Sequence, residues 1–137
     1  MFALIRHAGY RIATGSLTPE GHGQALALAE VIKGVPGAWT EVRTSPTART
    51  RETASIIAEQ LSIPVIEDAR LGVDGDLSDL MPPTEPKGII FVSHLPILSR
   101  MLRAWSRLLG QNEPPLTEIA CGYLISPEEQ KMSPLQG

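Results

Sequence analysis

Two of the chain's three histidines stand where they could do chemistry. His7 follows Arg6 at the end of a short apolar run, Phe2 to Ile5. His94 follows Ser93 at the end of a second run, Gly88 to Val92. A neutral imidazole is a nucleophile that can attack phosphorus and hold the phosphoryl group covalently. A guanidinium beside it presents a planar fork of donors that matches phosphate oxygens. Arg6 is placed for that task, and so is Arg49, four residues beyond Ser45. His94, just before a helix, could supply another donor. Phosphoryl transfer needs such a set: one nucleophile, and cations that hold the equatorial oxygens as charge shifts.

The elements that would position these residues follow from pattern. Phe2 to Ile5 reads as a buried strand. Thr18-Pro19 combines a hydroxyl cap with a first-turn proline and opens a helix to about Lys33, carrying Leu26, Leu28, Val31 and Ile32 and stopped by Gly34. Trp39 to Thr44 reads as a strand. Ser45-Pro46 repeats the cap-then-proline signal and opens a helix to about Leu61, with Ala48, Ile56, Ile57 and Leu61 inward. Arg49 then lies in the first turn, where free N–H groups and the helix dipole favour an anion. Pro64 to Ile66 is a third strand, and the polar, proline-rich stretch from Glu67 to Lys87 is mostly loop. Gly88 to Val92 is a strand covered on both faces. Pro96 to Leu109 is the clearest helix, with Ile97, Leu98, Met101, Leu102, Trp105, Leu108 and Leu109 in one stripe. Ala120 to Ile125 is a final strand, and residues 126–137 form a loose polar tail.

Alternating strands and helices predict an α/β chain, a three-layer α/β/α sandwich around a mostly parallel sheet, spanning residues 1–137 as one domain. Ligands bind such sheets beyond the carboxyl ends of the strands. Arg6-His7, Ser45 and Ser93-His94 all fall there.

Composition bounds the rest. With 42% hydrophobic and 20% charged residues the chain can bury a core, which excludes disordered and fibrous classes. A net charge of −3 offers no field for nucleic acid or an anionic membrane. No apolar run reaches a membrane span, Met1 to Ile5 is too short for a signal core, and the lone Cys121 forms no internal disulfide. The expected location is the cytoplasm.

Four segments resemble the histidine phosphatase superfamily, in its order and over nearly the whole chain. Leu4 to Tyr10, LIRHAGY, is similar to its Arg-His-Gly signature, with Ala8 in place of the glycine. Leu17 to Gly21, LTPEG, is similar to the start of its first helix. Thr44 to Ala54, TSPTARTRETA, resembles its second motif, with Glu52 where glutamine is usual. Phe91 to Leu102, FVSHLPILSRML, resembles its second-histidine motif. Size and SHLP bring the chain near the short bacterial phosphohistidine phosphatases of the SixA type. The resemblance implies a phosphoglycerate mutase-like fold and a phosphatase without metal or cofactor. It implies His7 as nucleophile, Arg6 and Arg49 as phosphate ligands, and His94 as a stabiliser of the transferring group. Arg51 is the rival to Arg49, but lies roughly 200° further round the helix. The family's leaving-group acid has no secure match; Glu67, Asp68, Asp74 and Asp76 are all near the expected place.

The expected substrate is a phosphorylated protein or a small phosphorylated molecule, with protein phosphohistidine favoured. A broad phosphomonoesterase or mutase and an inactive phospho-ligand module are the alternatives. Several patterns have plainer readings. His22, in a Gly-His-Gly run, reads as structural, and His7, His22 and His94 match no compact zinc spacing. Asp74-Gly-Asp76 begins like an aspartate-nucleophile motif or a calcium loop, but lacks the preceding strand of the first and the turn glycine of the second. Pro127 stands where a cysteine-phosphatase loop from Cys121 needs arginine. Arg100, Arg103 and Arg107 form either a solvated face or a dock for an acidic protein. The oligomeric state is not legible in the sequence.

Overall fold

A computed structural model describes residues 1–116 and 118–137. Its six strands form one sheet in the order β3-β2-β4-β1-β5-β6: β1 Phe2–Arg6, β2 Glu41–Thr44, β3 Val65–Glu67, β4 Ile89–Ser93, β5 Cys121–Ser126 and β6 Lys131–Gln136. The first four run parallel, and β5 and β6 are antiparallel additions beside β1. Helices α1 (Pro19–Lys33) and α2 (Ala48–Leu61) cover one face, and α3 (Ile97–Leu108) the other. The three-layer α/β/α expectation holds.

Strand alternation divides the core. Phe2 and Leu4 of β1 and Phe91 of β4 face α3, where Leu98, Met101, Leu102 and Trp105 meet them. Phe2 packs edge-on against Trp105 with ring centres 4.9 Å apart. Ala3, Ile5, Ile90 and Val92 face the opposite way, against Leu28, Ile32, Ile57 and Ala58. Each large aliphatic side chain buried this way contributes roughly 1.5–3 kcal/mol.

Several boundaries and faces differ from expectation. Thr18 does cap α1, accepting a hydrogen bond from the Gly21 N–H at 2.9 Å. The buried stripe of α1 is Gly21, Ala25, Leu28, Ala29 and Ile32, while Leu26 and Val31 face outward. Gly21 must be glycine: a Cβ there would stand 2.0 Å from the Gly9 carbonyl oxygen. Helix α2 starts after Thr47 rather than at Ser45, and its buried face is Thr50, Thr53, Ala54, Ile57 and Ala58. Leu108 lies outside the α3 core stripe and is exposed. The connection from β3 to β4 holds only two short turns of 3-10 helix, Ala69–Leu71 and Ser78–Leu80.

The expected loose tail at 126–137 is corrected. Residues 131–136 pair along the whole of β5, and Leu135 is buried against α1 and the sheet. A turn around Pro127 to Gln130 reverses the chain. The polar residues that suggested disorder are the exposed positions of an edge strand.

Candidate active site

The carboxyl ends of β1, β4 and β2 are adjacent because those strands are neighbours in the sheet. The His7 N–H donates to the Ser93 carbonyl at 3.2 Å, and the Ser45 N–H to the Val92 carbonyl at 3.1 Å. Three segments distant in sequence are thereby fixed side by side. His7 and His94 lie with ring centres 6.5 Å apart, and an Arg49 guanidinium nitrogen donates to His94 Nδ1 at 3.3 Å. Arg6 ends β1 and acts on His7 through its charge. The geometry therefore brings together Arg6, His7, Arg49 and His94.

The proton positions follow from partners. A carbonyl only accepts, so the 2.9 Å contact of His7 Nδ1 with the Ala8 carbonyl places the proton on Nδ1. The Nε2 lone pair is then the one available for attack. Arginine only donates, so His94 Nδ1 accepts and its proton sits on Nε2. That buried Nε2–H and the buried Nε of Arg49 have no hydrogen-bond partner among the described residues. Two unmatched donors beside a nucleophile suit an incoming oxyanion.

Burial lowers the His7 pKa to about 4, with the charges of Arg49, Arg6 and His94 adding to the effect against the Ala8 hydrogen bond. Burial and Arg49 also lower His94. Both rings are held neutral, as a nucleophile requires. The consequence for stability has a definite sign. Between the ordinary value of 6.5 and about 4, the unfolded chain binds a proton that folded His7 does not. Stability is therefore complete above pH 6.5 and falls as pH drops, by about 3 kcal/mol at pH 4 from His7 alone. Urea unfolding of wild type and His7→Asn from pH 4 to 7 checks this: the wild-type slope with pH is expected to be the steeper. Parallel slopes would refute a neutral His7.

Two contributors were not assigned from sequence. Thr53 Oγ1 accepts from the Ala8 N–H at 3.0 Å and donates to the Arg49 carbonyl at 2.8 Å, joining the nucleophile loop to the first turn of α2. The Thr-Ala pair of the second motif was its available signal. Tyr10 lies with its ring centre 5.2 Å from that of His7, nearly perpendicular, and the Arg49 guanidinium sits 4.8 Å from the same ring centre. Ser45 is buried and hydrogen-bonded to Thr50, which orders the loop before α2.

The carboxylates are not in this cluster. Asp68 is gripped by Arg70 at 2.6 and 2.9 Å and by Arg43 at 3.2 Å, and the Arg70 hydrogen bonds lead in lowering its pKa to about 2. Such a group stays ionised and has no proton to give at neutral pH. Glu67 is exposed on β3 beside Arg51, three strand spacings, or about 14 Å, from β1. Asp74 and Asp76 are exposed in the following loop, and Asp76 accepts from the Ser78 N–H. His22 is exposed on α1. No group of three or more His, Cys, Asp or Glu residues among those described could hold a metal ion. A cleft of about 390 Å³ lies elsewhere, between α1 and residues 118–121, and includes none of the four site side chains.

A family model for the histidine phosphatase superfamily, branch 1, matches residues 4–72, which is half of the chain. The chain belongs to the histidine phosphatase superfamily. The match covers Arg6, His7 and Arg49, and His94 lies beyond it. No curated protein matches the sequence. Among solved structures, the chain is similar to the protein histidine phosphatase SixA complexed with tungstate: 19% identity, 98% of this chain and 96% of that one, TM-score 0.73. It is also similar to a protein assigned as a SixA phosphohistidine phosphatase from Nakamurella multipartitia: 22% identity, 89% and 81% covered, TM-score 0.64. A phosphoglycerate mutase from Plasmodium falciparum matches at 18% identity, 99% and 87% covered, TM-score 0.60. At these identities the likeness establishes the fold. No helix among the described residues is long and apolar enough to cross a membrane.

Proposed function

We propose that the protein is a metal-independent phosphatase acting on protein phosphohistidine through a His7 phosphoenzyme. The observation that carries this reading is the His7 tautomer, with Nδ1–H tied to the Ala8 carbonyl and Nε2 left as the attacking lone pair beside Arg49 and His94. Nε2 attacks phosphorus and the bond from phosphorus to the leaving nitrogen breaks. Its electron pair stays with the departing imidazole. Arg6, Arg49 and the His94 Nε2–H hold the phosphate oxygens. Water then attacks the phosphoryl group on His7, releasing phosphate and restoring the ring.

Two features favour phosphohistidine over alkyl phosphates. An alkoxide needs a proton donor in the transition state, whereas a phosphorylated imidazole protonated beforehand departs neutral. Asp68 is ionised and Glu67 is remote, so neither supports the acid role. The β3–β4 connection also has no longer helix to roof the site, so a substrate still attached to a protein could enter. The similarity to SixA-type structures agrees with this choice of substrate.

The test compares kcat/KM for a phosphohistidine protein, p-nitrophenyl phosphate and small alkyl phosphates, with and without EDTA. The phosphohistidine protein is expected to be preferred by tenfold or more, with no change on chelation. A preference for an alkyl phosphate, sharply reduced in Glu67→Gln or Asp68→Asn, would replace this reading with a small-molecule phosphomonoesterase. Activity lost to chelator and restored by a divalent ion would redirect attention to Asp74 and Asp76. Turnover of none of these would favour a binding module.

A further inference from the structure

We propose that Tyr10 is a positioning residue that fixes His7 and Arg49 relative to each other through its ring rather than its hydroxyl. The inference rests on the proposed roles of His7 and Arg49. Tyr10 is half-buried just beyond the nucleophile loop, and a bridge to Leu17 holds its backbone. One aromatic ring touches both groups. His7 packs at 83° to it with centres 5.2 Å apart, an edge-to-face arrangement that opposes rotation of the imidazole. The Arg49 guanidinium lies 4.8 Å from the ring centre, within cation–π range.

The other restraints on these two groups are incomplete. His7 is tied at Nδ1 to its neighbour's carbonyl, which sets the tautomer but restrains the ring at one point only. Arg49 has one long side-chain hydrogen bond, to His94, and its Nε has no hydrogen-bond partner among the described residues. A phosphate fork must be aimed before phosphate arrives, because a misplacement of about 1 Å can cost on the order of 100-fold in rate. Tyr10 supplies an aim common to attacker and clamp. Its ring also helps keep water from His7, a residue that is only 4% exposed.

The test uses Tyr10→Phe, which keeps the ring, and Tyr10→Leu, which keeps bulk without it. With a phosphohistidine protein or p-nitrophenyl phosphate, Tyr10→Phe is expected to stay within threefold of wild-type kcat. Tyr10→Leu is expected to lose tenfold or more in kcat with KM changed less than threefold. The His7 titration followed by NMR gives a readout independent of turnover. Its midpoint is expected to move in Tyr10→Leu, where Arg49 and the imidazole lose their common support, and to stay in place in Tyr10→Phe. Wild-type kcat and an unmoved titration in Tyr10→Leu would overturn the proposal. So would a Tyr10→Phe variant as impaired as Tyr10→Leu, because the hydroxyl would then be the active part. If wild type turns over neither substrate, the phosphatase reading fails and the two titrations alone decide the role of Tyr10. Thermal melting confirms that each variant is folded before it is scored.

Discussion

His7→Ala is expected to lower turnover on the order of 10⁴-fold or more while leaving a folded protein. The reason is chemical. A phosphoryl group needs an attacking lone pair at the centre of the cation set, and His7 Nε2 is the one this arrangement supplies. His94 cannot stand in, because its Nδ1 lone pair accepts from Arg49 and its Nε2 carries the proton. The Arg6, Arg49 and His94 donors remain, so inorganic phosphate should still bind within about tenfold of wild type. Rapid-quench labelling with a ³²P-phosphohistidine protein gives the direct check. Wild type is expected to show an acid-labile phosphoenzyme and the variant none. Full turnover or undiminished labelling in His7→Ala would sink the mechanism.

Arg49→Ala is expected to lower kcat by about 10²- to 10³-fold, the usual consequence of removing one aligned donor from a developing anion. Lysine at the same position should recover little, since a point charge cannot span two oxygens or lie flat over Tyr10. Stability should change little, because the lost contacts are one long hydrogen bond and one ring contact. The parallel variant Arg51→Ala is expected to be nearly silent. Arg51 is exposed and its partner is Glu67 at 3.4 Å. A larger loss in Arg51→Ala than in Arg49→Ala would mean that the anion site is assigned to the wrong face of α2.

What was legible in the sequence is what local chemistry dictates. Thr18-Pro19 starts α1 because cap and proline act within one turn, and the α3 stripe from Ile97 to Trp105 reads directly as a buried face. Arg6, His7 and His94 stood out because two strands end on them, and Arg49 because the Ser45-Pro46 signal after a third strand places it in the first turn of a helix. The readings that failed depend on neighbours. Leu26 and Val31 have the bulk of core residues, but α1 lies so close to Gly9 and to α2 that Gly21, Ala25 and Ala29 take the inner face. Thr50 and Thr53 are polar and would be placed outward by pattern alone. They are buried because their hydroxyls find partners: Ser45 and Thr47 just before the helix for Thr50, and for Thr53 the Arg49 carbonyl one turn back and the Ala8 N–H from the nucleophile loop. Tyr10 was visible as a letter, but its two contacts join residues 7, 10 and 49 across the fold.

The β5–β6 hairpin moves the boundary of the sheet one strand beyond where a loose tail would leave it, and so changes which backbone faces outward. An edge strand is a template for a second chain. At six residues β6 is twice as long as β3 at the opposite edge, which makes it the more hazardous of the two. It carries Pro134, paired with Tyr123 and without an N–H to offer, and an exposed Lys131 at its start. A proline and a charge are the usual means by which an edge resists a further strand. The residues that hid β6 from pattern reading are thus the ones that discourage the sheet from growing between molecules, and replacing Pro134 by valine would cost solubility at high concentration.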